Sequence, residues 1–188
     1  NPERLYEEGV LLFENQHYAS ALECFEQYIA AANDKNSDNV VMAKYYEASS
    51  SLLLGEGDGE NKMTSFIKEN PTSIMTNHAK FIYANHLFKN RKYRDAIMIY
   101  SDINSDKLNQ EEQDECDFKT AYCHYQTQNI YIAAPIFESL SKTTNKYKDD
   151  ATYYYAHISY INEESDKALE LFKSLKQNEK YADIADIY

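Results

Sequence analysis

The chain has 188 residues and a formal net charge of −12, from 19 Lys and Arg against 31 Asp and Glu. An acidic surface repels phosphate backbones and anionic lipid headgroups, so the composition argues against nucleic-acid binding and direct membrane association. The sequence contains no apolar run of the roughly 18 residues that a membrane-spanning helix needs. Three Pro and four Gly are few, as is typical of an almost wholly helical chain.

Helices are predicted over nearly the whole chain. In chain order they cover 3–15, 18–33, 38–54, 59–69, 73–89, 92–104, 110–127, 129–143, 147–161 and 164–177, with an eleventh beginning near 180. Asn109 followed by Glu112 indicates a capping box at the start of the seventh helix. Pro71 lies in a predicted linker, whereas Pro135 lies inside the eighth helix and predicts that this helix starts late or bends.

One pattern of small and bulky residues recurs five times, at intervals of 35 to 39 residues. Each repeat has a small residue in its first helix, a second small residue 11 or 12 positions later, and bulky residues four and seven positions after that. The first small residues are Gly9, Ala48, Ala84, Ala121 and Ala156, and the second are Ala21, Gly59, Ala96, Ala133 and Ala168. The bulky residues are Phe25, Met63, Tyr100, Phe137 and Phe172, then Tyr28, Phe66, Ile103, Leu140 and Leu175. A period of this length predicts stacked pairs of helices.

Three segments carry this pattern most clearly: "LYEEGVLLFENQHYASALECFEQYI" (5–29), "NHAKFIYANHLFKNRKYRDAIMIYSDI" (77–103) and "DFKTAYCHYQTQNIYIAAPIFESL" (117–140). The chain resembles the tetratricopeptide repeat (TPR) along essentially its whole length. The resemblance implies an all-α fold, a right-handed α-α superhelix of about five helix-turn-helix repeats plus a partial sixth. We expect a single array over 1–188, with repeats at about 2–36, 38–71, 73–106, 110–145 and 147–177 and a further helix over 180–188.

The chain begins and ends inside helical patterns, at "NPERLYEEG" and "YADIADIY". We interpret it as a piece of a longer protein, so a targeting segment could lie outside it. It is similar in style to bacterial repeat proteins, several of which act in the cell envelope. The sequence leaves the compartment open between the periplasmic side of the envelope and the cytoplasm.

Candidate sites for metals, cofactors and catalysis are weak. Asp34, Asn36 and Asp38 match only the first spacing of a calcium loop, and "GEGDG" (55–59) lacks the preceding strand of a phosphate loop. Cys116, Cys123 and His124 lack zinc spacing. Cys116 and Cys123 lie about 10 Å apart along one helix, which is too far for a disulfide bond. The three cysteines are therefore interpreted as small buried apolar residues. We therefore predict a non-enzymatic protein without a cofactor or metal.

Aromatic residues recur at one slot of the predicted first helices, three positions before the small residue. This set is Tyr6, Tyr45, Phe81, Phe118 and Tyr153. Four positions after the small residue stand Phe13, Leu52, Phe88, Tyr125 and Tyr160, and one position after it stand Val10, Ser49, Asn85, Tyr122 and His157. In the TPR family these slots line the concave side. Two interpretations stay open: the rings fill gaps between helices, or they form a groove that binds a peptide.

The predicted peptide-binding residues are Tyr6, Phe13, Tyr45, Phe81, Asn85, Phe88, Phe118, Tyr122, Tyr125, Tyr153, His157 and Tyr160. The family's clamp for a C-terminal carboxylate is disfavoured, because only Asn85 and Lys89 have suitable chemistry on this face. We expect a protein or peptide partner with apolar anchors and basic flanks. Alternatives are a structural spacer or self-association module, and the regulatory domain of an enzyme.

Overall fold

The computed structural model describes residues 2–55 and 57–182. These residues form ten α-helices and one 3₁₀ turn, and no β-strand occurs among them. The helices are α1 (Pro2–Glu14), α2 (Tyr18–Ala31), α3 (Asp38–Leu54), α4 (Gly59–Glu69), α5 (Thr76–Lys89), α6 (Tyr93–Ser101), α7 (Gln110–Gln126), α8 (Ile130–Lys142), α9 (Lys148–Ile161) and α10 (Ser165–Ser174). None of the helices in the described ranges is long and apolar enough to cross a membrane.

The predicted all-α fold is confirmed, and the helix positions agree closely with the sequence pattern. Three helices, α5, α6 and α10, are three or four residues shorter than predicted. At α5 and α6, polar side chains cap local turns instead. Helix α5 begins at Thr76 rather than 73, since the Ser73 hydroxyl accepts a hydrogen bond from the Met75 amide at 3.2 Å. Helix α6 ends at Ser101 and is followed by the 3₁₀ turn Ser105–Lys107, which Asn104 caps. The predicted eleventh helix lies almost wholly outside the described residues.

The chain divides into two compact units, residues 1–90 and 91–188. In the first unit α1 packs on α2, α2 on α3, and α3 on both α4 and α5. In the second unit α6 packs on α7, α7 on α8, α8 on α9, and α9 on α10. Each unit is therefore a run of helices that pack on their neighbours in sequence, with the third repeat divided between the two units. The single array over 1–188 stays a prediction.

The small residues lie where two helices touch. A Cβ atom on Gly9 would come within 2.9 Å of the Phe25 ring, and one on Gly59 within 2.7 Å of the Leu52 Cα. Ala96, Ala121 and Ala133 are fully buried. The bulky residues behave alike: nine of the ten are buried, and Ile103 is half-buried. The repeat pattern thus records the close packing of helix on helix.

The turn between the two helices of each repeat contains one residue with a left-handed backbone. These residues stand seven positions after the first small residue, at Gln16, Gly55, Arg91, Gln128 and Glu163, with φ between 58° and 75°. In at least three of the turns the next amide donates to a carbonyl five residues back, as from His17 to Leu12 at 2.8 Å and from Asn129 to His124 at 2.8 Å. This is the Schellman geometry, which satisfies carbonyls at the end of the first helix.

Individual features of the second unit agree with the sequence as well. The capping box is present, because the Asn109 side chain accepts from the Glu112 amide and the Glu112 carboxylate accepts from the Asn109 amide. Helix α8 begins at Ile130 and continues through Pro135, so the late start considered for this helix does not occur. Cys123 is fully buried, whereas Cys24 and Cys116 are half-buried, and all three are free thiols.

Candidate functional site

In four of the repeats, the first aromatic ring lies against the second helix of its own repeat. Tyr45, Phe81 and Phe118 are at most 9% exposed, while Tyr6 and Tyr153 are half-buried. Where the contacts are described, each ring meets a bulky residue of its own second helix. The ring centroids lie 6.1 Å apart for Tyr6 and Phe25, 5.9 Å for Tyr45 and Phe66, 5.8 Å for Phe118 and Phe137, and 6.1 Å for Tyr153 and Phe172. These rings contribute mainly to packing inside the repeat.

In the second unit a further tyrosine covers each of these rings from the side of the following repeat. Tyr147, just before α9, stacks on Phe118 with centroids 4.7 Å apart. Tyr181 stacks in the same way on Tyr153 at 4.9 Å, and its hydroxyl donates to Asp150. The sequence pattern did not single out either tyrosine, because both lie outside the slots counted from the small residues.

Two other tyrosines that the pattern did not single out join neighbouring repeats. Tyr46 on α3 stacks on Phe25 of the repeat before it, with centroids 5.1 Å apart and planes 9° from parallel. Tyr154 on α9 stacks likewise on Phe137, at 5.2 Å and 21°. Both stand two positions before the small residue, a slot that holds a tyrosine in only these two repeats. Its recurrence at matching positions was the available signal.

The set four positions after the small residue is more open. Phe13, Phe88 and Tyr125 are half-buried, Leu52 is buried, and Tyr160 is 51% exposed. Phe13 is covered by Tyr18 and Tyr46, with ring centroids 5.4 and 5.1 Å away. At the middle slot Val10, Asn85, Tyr122 and His157 are half-buried, and Ser49 is fully buried. The predicted residues therefore split into buried packing residues and residues that keep a solvent-accessible surface.

The second unit carries the most continuous accessible set, which we call the aromatic face: Tyr122 and Tyr125 on α7, and His157 and Tyr160 on α9. Tyr154 supports it from beneath, because its ring contacts those of Tyr122 and Tyr125 at 5.3 and 5.1 Å. The Tyr125 hydroxyl and His157 Nδ1 are joined by a 2.9 Å hydrogen bond. These contacts hold the side chains of adjacent first helices in fixed positions.

Burial dominates the electrostatics of this region. It raises the pKa of Tyr125, and the neighbouring Tyr153 and Tyr122 add to the effect, so the hydroxyl stays protonated at neutral pH. Burial likewise raises the pKa of Cys116 to about 11 and of Cys123 to about 12. Both thiols are thus protonated and weakly nucleophilic at neutral pH. Within residues 2–55 and 57–182 no group of three or more His, Cys, Asp or Glu side chains could hold a metal ion.

Comparison with known proteins identifies the fold. The chain has the fold of TPR-like helical repeat proteins. It is similar to MamA, with a TM-score of 0.74 and 13% identity over 95% of this chain and 92% of that one. It is also similar to a Podosopora anserina kinesin light chain with nearly identical TPR-like repeats, with a TM-score of 0.66 and 13% identity over 95% of this chain and 99% of that one.

The apo form of RapI has the same fold, with a TM-score of 0.67 and 13% identity over 92% of this chain and 52% of RapI. No model of a known protein family matches the sequence. No curated protein is detectably similar to it in sequence either. The likeness thus concerns the fold, and the function has to be argued from the chain's own residues.

Proposed function

We propose that this chain is a non-enzymatic scaffold that binds a segment of a partner protein on its aromatic face. The observation that carries the proposal is the partial exposure of Tyr122, Tyr125 and His157 together with the 51% exposure of Tyr160. Tyrosine offers an apolar ring and a polar hydroxyl with few rotatable bonds, so it suits a surface that alternates between water and a ligand. The Tyr125–His157 hydrogen bond orders the face before a ligand arrives, which lowers the entropic cost of binding.

The charge of the chain supports a particular kind of partner. With a net charge of −12, the protein attracts cationic segments at long range and repels acidic ones. Apolar anchors on the segment provide affinity by leaving water, at about 25 cal/mol per Å² buried. Flanking Lys or Arg residues provide association rate and orientation, and their effect weakens with salt.

The remaining predicted residues fit this proposal unequally. Phe13, Asn85 and Phe88 in the first unit keep some accessible surface. Tyr45, Phe81 and Phe118 are buried and have little surface to offer a ligand.

A specific observation favours self-association as a second candidate function. Tyr160 and Ile161, at the end of α9, are 51% and 48% exposed. A second copy of the chain would remove this apolar surface from water. Sedimentation velocity over a concentration series distinguishes the two functions, because self-association requires a ligand-free dimer.

The first prediction tests the aromatic face. Screening a peptide library against the protein should select segments with apolar anchors, and Tyr125→Ala with Tyr160→Ala should weaken the best of them at least about tenfold, as for interface hot spots. Tyr131→Ala is the matched control, since Tyr131 is 75% exposed on α8, a second helix. Unchanged affinity in the folded double variant, or an equal loss in the control, would refute the proposal.

A further inference from the structure

A surface hollow of the second unit lies at the turns between helices. It has a volume of about 610 Å³ and is lined by residues of two turns, Arg91–Asp95 and Gln126–Gln128. The first segment leads into α6 and the second follows α7, so two successive repeats supply its walls. The sequence pattern did not mark this place, and the aromatic face does not include it.

The walls of the hollow are basic, in contrast to the chain as a whole. Three cations, Arg91, Lys92 and Arg94, face one carboxylate, Asp95. All four side chains are exposed. Among the described residues neither Arg91 nor Arg94 takes part in an ion pair. The amides of Gln126 and Gln128 and the hydroxyl of Thr127 add neutral hydrogen-bonding groups to the opposite wall.

The backbone sets the direction in which two of these side chains leave the chain. Arg91 occupies the left-handed position of its turn, with φ of 58°, so its side chain leaves the turn in a defined direction. Arg94 lies in the first turn of α6, beside the positive end of the helix dipole. Guanidinium groups present a planar fork of donors that matches a carboxylate.

A direct contact joins the hollow to the aromatic face. Tyr93 lines the hollow and is half-buried, and its ring meets that of Tyr122 edge-on with centroids 5.9 Å apart. A hydrogen bond to Tyr122 also contributes to the raised pKa of Tyr93, after the larger effect of burial. The hollow and the aromatic face therefore adjoin at Tyr93 and Tyr122.

From this geometry we infer that the hollow binds an acidic side chain of the partner protein, at one end of the segment that the aromatic face holds. The inference rests on the proposed function and adds a carboxylate to the partner's chemistry. The net charge of the chain governs attraction at long range, whereas the local cations govern the last contact, within a Debye length of about 8 to 10 Å. The segment thus combines basic flanks with one acidic end.

Two capped peptides with Leu anchors and Lys flanks provide the probes, measured by isothermal titration calorimetry. The Leu-Glu peptide carries a single Glu at one end, and the Leu-Lys peptide carries Lys in its place. Arg91→Gln with Arg94→Gln should weaken the Leu-Glu peptide roughly tenfold and leave the Leu-Lys peptide unchanged or tighter. Asp95→Asn should tighten the Leu-Glu peptide, because it removes the opposing charge. The control is Lys107→Gln with Lys148→Gln, which removes the same charge at exposed sites elsewhere in this unit.

Three results would overturn the inference: no binding of the Leu-Glu peptide to the unaltered chain, equal losses in the arginine and lysine double variants, or tighter binding of a polythymidine oligonucleotide than of the Leu-Glu peptide. Misfolding of the arginine variant could explain a loss of affinity, but it could not explain the gain in affinity expected for Asp95→Asn. The two variants together therefore keep the inference testable. Failure of the proposed function looks different: Tyr125→Ala would then leave both peptides bound, whatever the arginine variants do.

Discussion

A single backbone position distinguishes the turns of this chain. All five turns between paired helices place a residue in the left-handed region, yet only Gly55 is a glycine. For other residues this conformation costs about 1–2 kcal/mol, because the Cβ crowds the following carbonyl. The four remaining turns carry Gln, Arg, Gln and Glu there, so the packing of the repeats outweighs this local cost at each of them.

We expect Gly55→Ala to destabilise the protein by about 1 kcal/mol through the backbone alone, since a Cβ there would meet no atom within 4 Å. Gly57→Ala is a matched control: its Cβ also meets nothing within 4 Å, and its φ is not left-handed. The control should be neutral or slightly stabilising, because alanine restricts the unfolded chain. Urea denaturation followed by circular dichroism measures both, and equal effects would contradict the explanation.

At the scale of residues, the sequence predicted the size of the side chain at each helix contact better than it predicted whether an aromatic ring is buried or accessible. The small and bulky positions were identified correctly because close packing admits few sizes at a helix contact. The burial of the aromatic residue three positions before the small residue was harder to predict. A helical projection places it on the same face as the more accessible residue four positions after the small residue. Only the neighbouring helices show that Phe118 lies against Phe137 and beneath Tyr147. Such tertiary contacts leave no periodic trace in the sequence.

At the scale of elements, helix boundaries follow local hydrogen bonds. The capping box at Asn109 was readable, because its two side chains are three residues apart and reciprocal. The early end of α6 could not be predicted in this way. The Asn104 side chain accepts a hydrogen bond from the Asp106 amide at 3.1 Å, and this local bond replaces a further helical turn. Helix assignment from sequence is therefore most secure where the cap and the apolar period agree.

The close contact between α7 and α8 leads to another prediction. Ala133→Leu adds bulk at a fully buried position within a cluster that contains Phe118, Ala121 and Phe137, so it should cost roughly 1–3 kcal/mol. Ser139→Leu, at an exposed site of the same helix, controls for the added apolar surface and should have little effect. A thermal melt of Ala133→Leu that matches the unaltered chain would show that this contact is looser than described.

At the scale of the whole molecule, the excess of acidic side chains destabilises the folded state. With a net charge of −12, the carboxylates repel one another, and ion pairs with Lys or Arg offset this repulsion only locally. One such place is Lys62, which lies 3.1 Å from Glu26 and 3.0 Å from Glu47 and so links α4 to α2 and α3. Burial lowers the pKa of Lys62, but the hydrogen bonds to both carboxylates outweigh it and raise the pKa overall.

Added sodium chloride should therefore raise the melting temperature at neutral pH by a few degrees, because screening of the net repulsion exceeds the loss of attractive pairs. Circular dichroism melts between low and physiological ionic strength measure this. A variant with Glu23→Gln and Glu170→Gln, both at exposed sites, should show a smaller rise. A melting temperature that falls with salt would indicate that ion pairs dominate instead.

The rings that cross from one repeat to the next also bear on how the chain folds. Tyr46 stacks on Phe25 and Tyr154 on Phe137, and the packed helix pairs are adjacent or next-but-one in sequence. Closing such contacts loses little chain entropy, so the low contact order favours rapid folding. A nucleus can form at any junction and spread to its neighbours. At these two junctions the following repeat completes the core of the repeat before it. A lone helix pair cut at either place is left with an uncovered ring, so the cooperative folding unit there is at least two repeats.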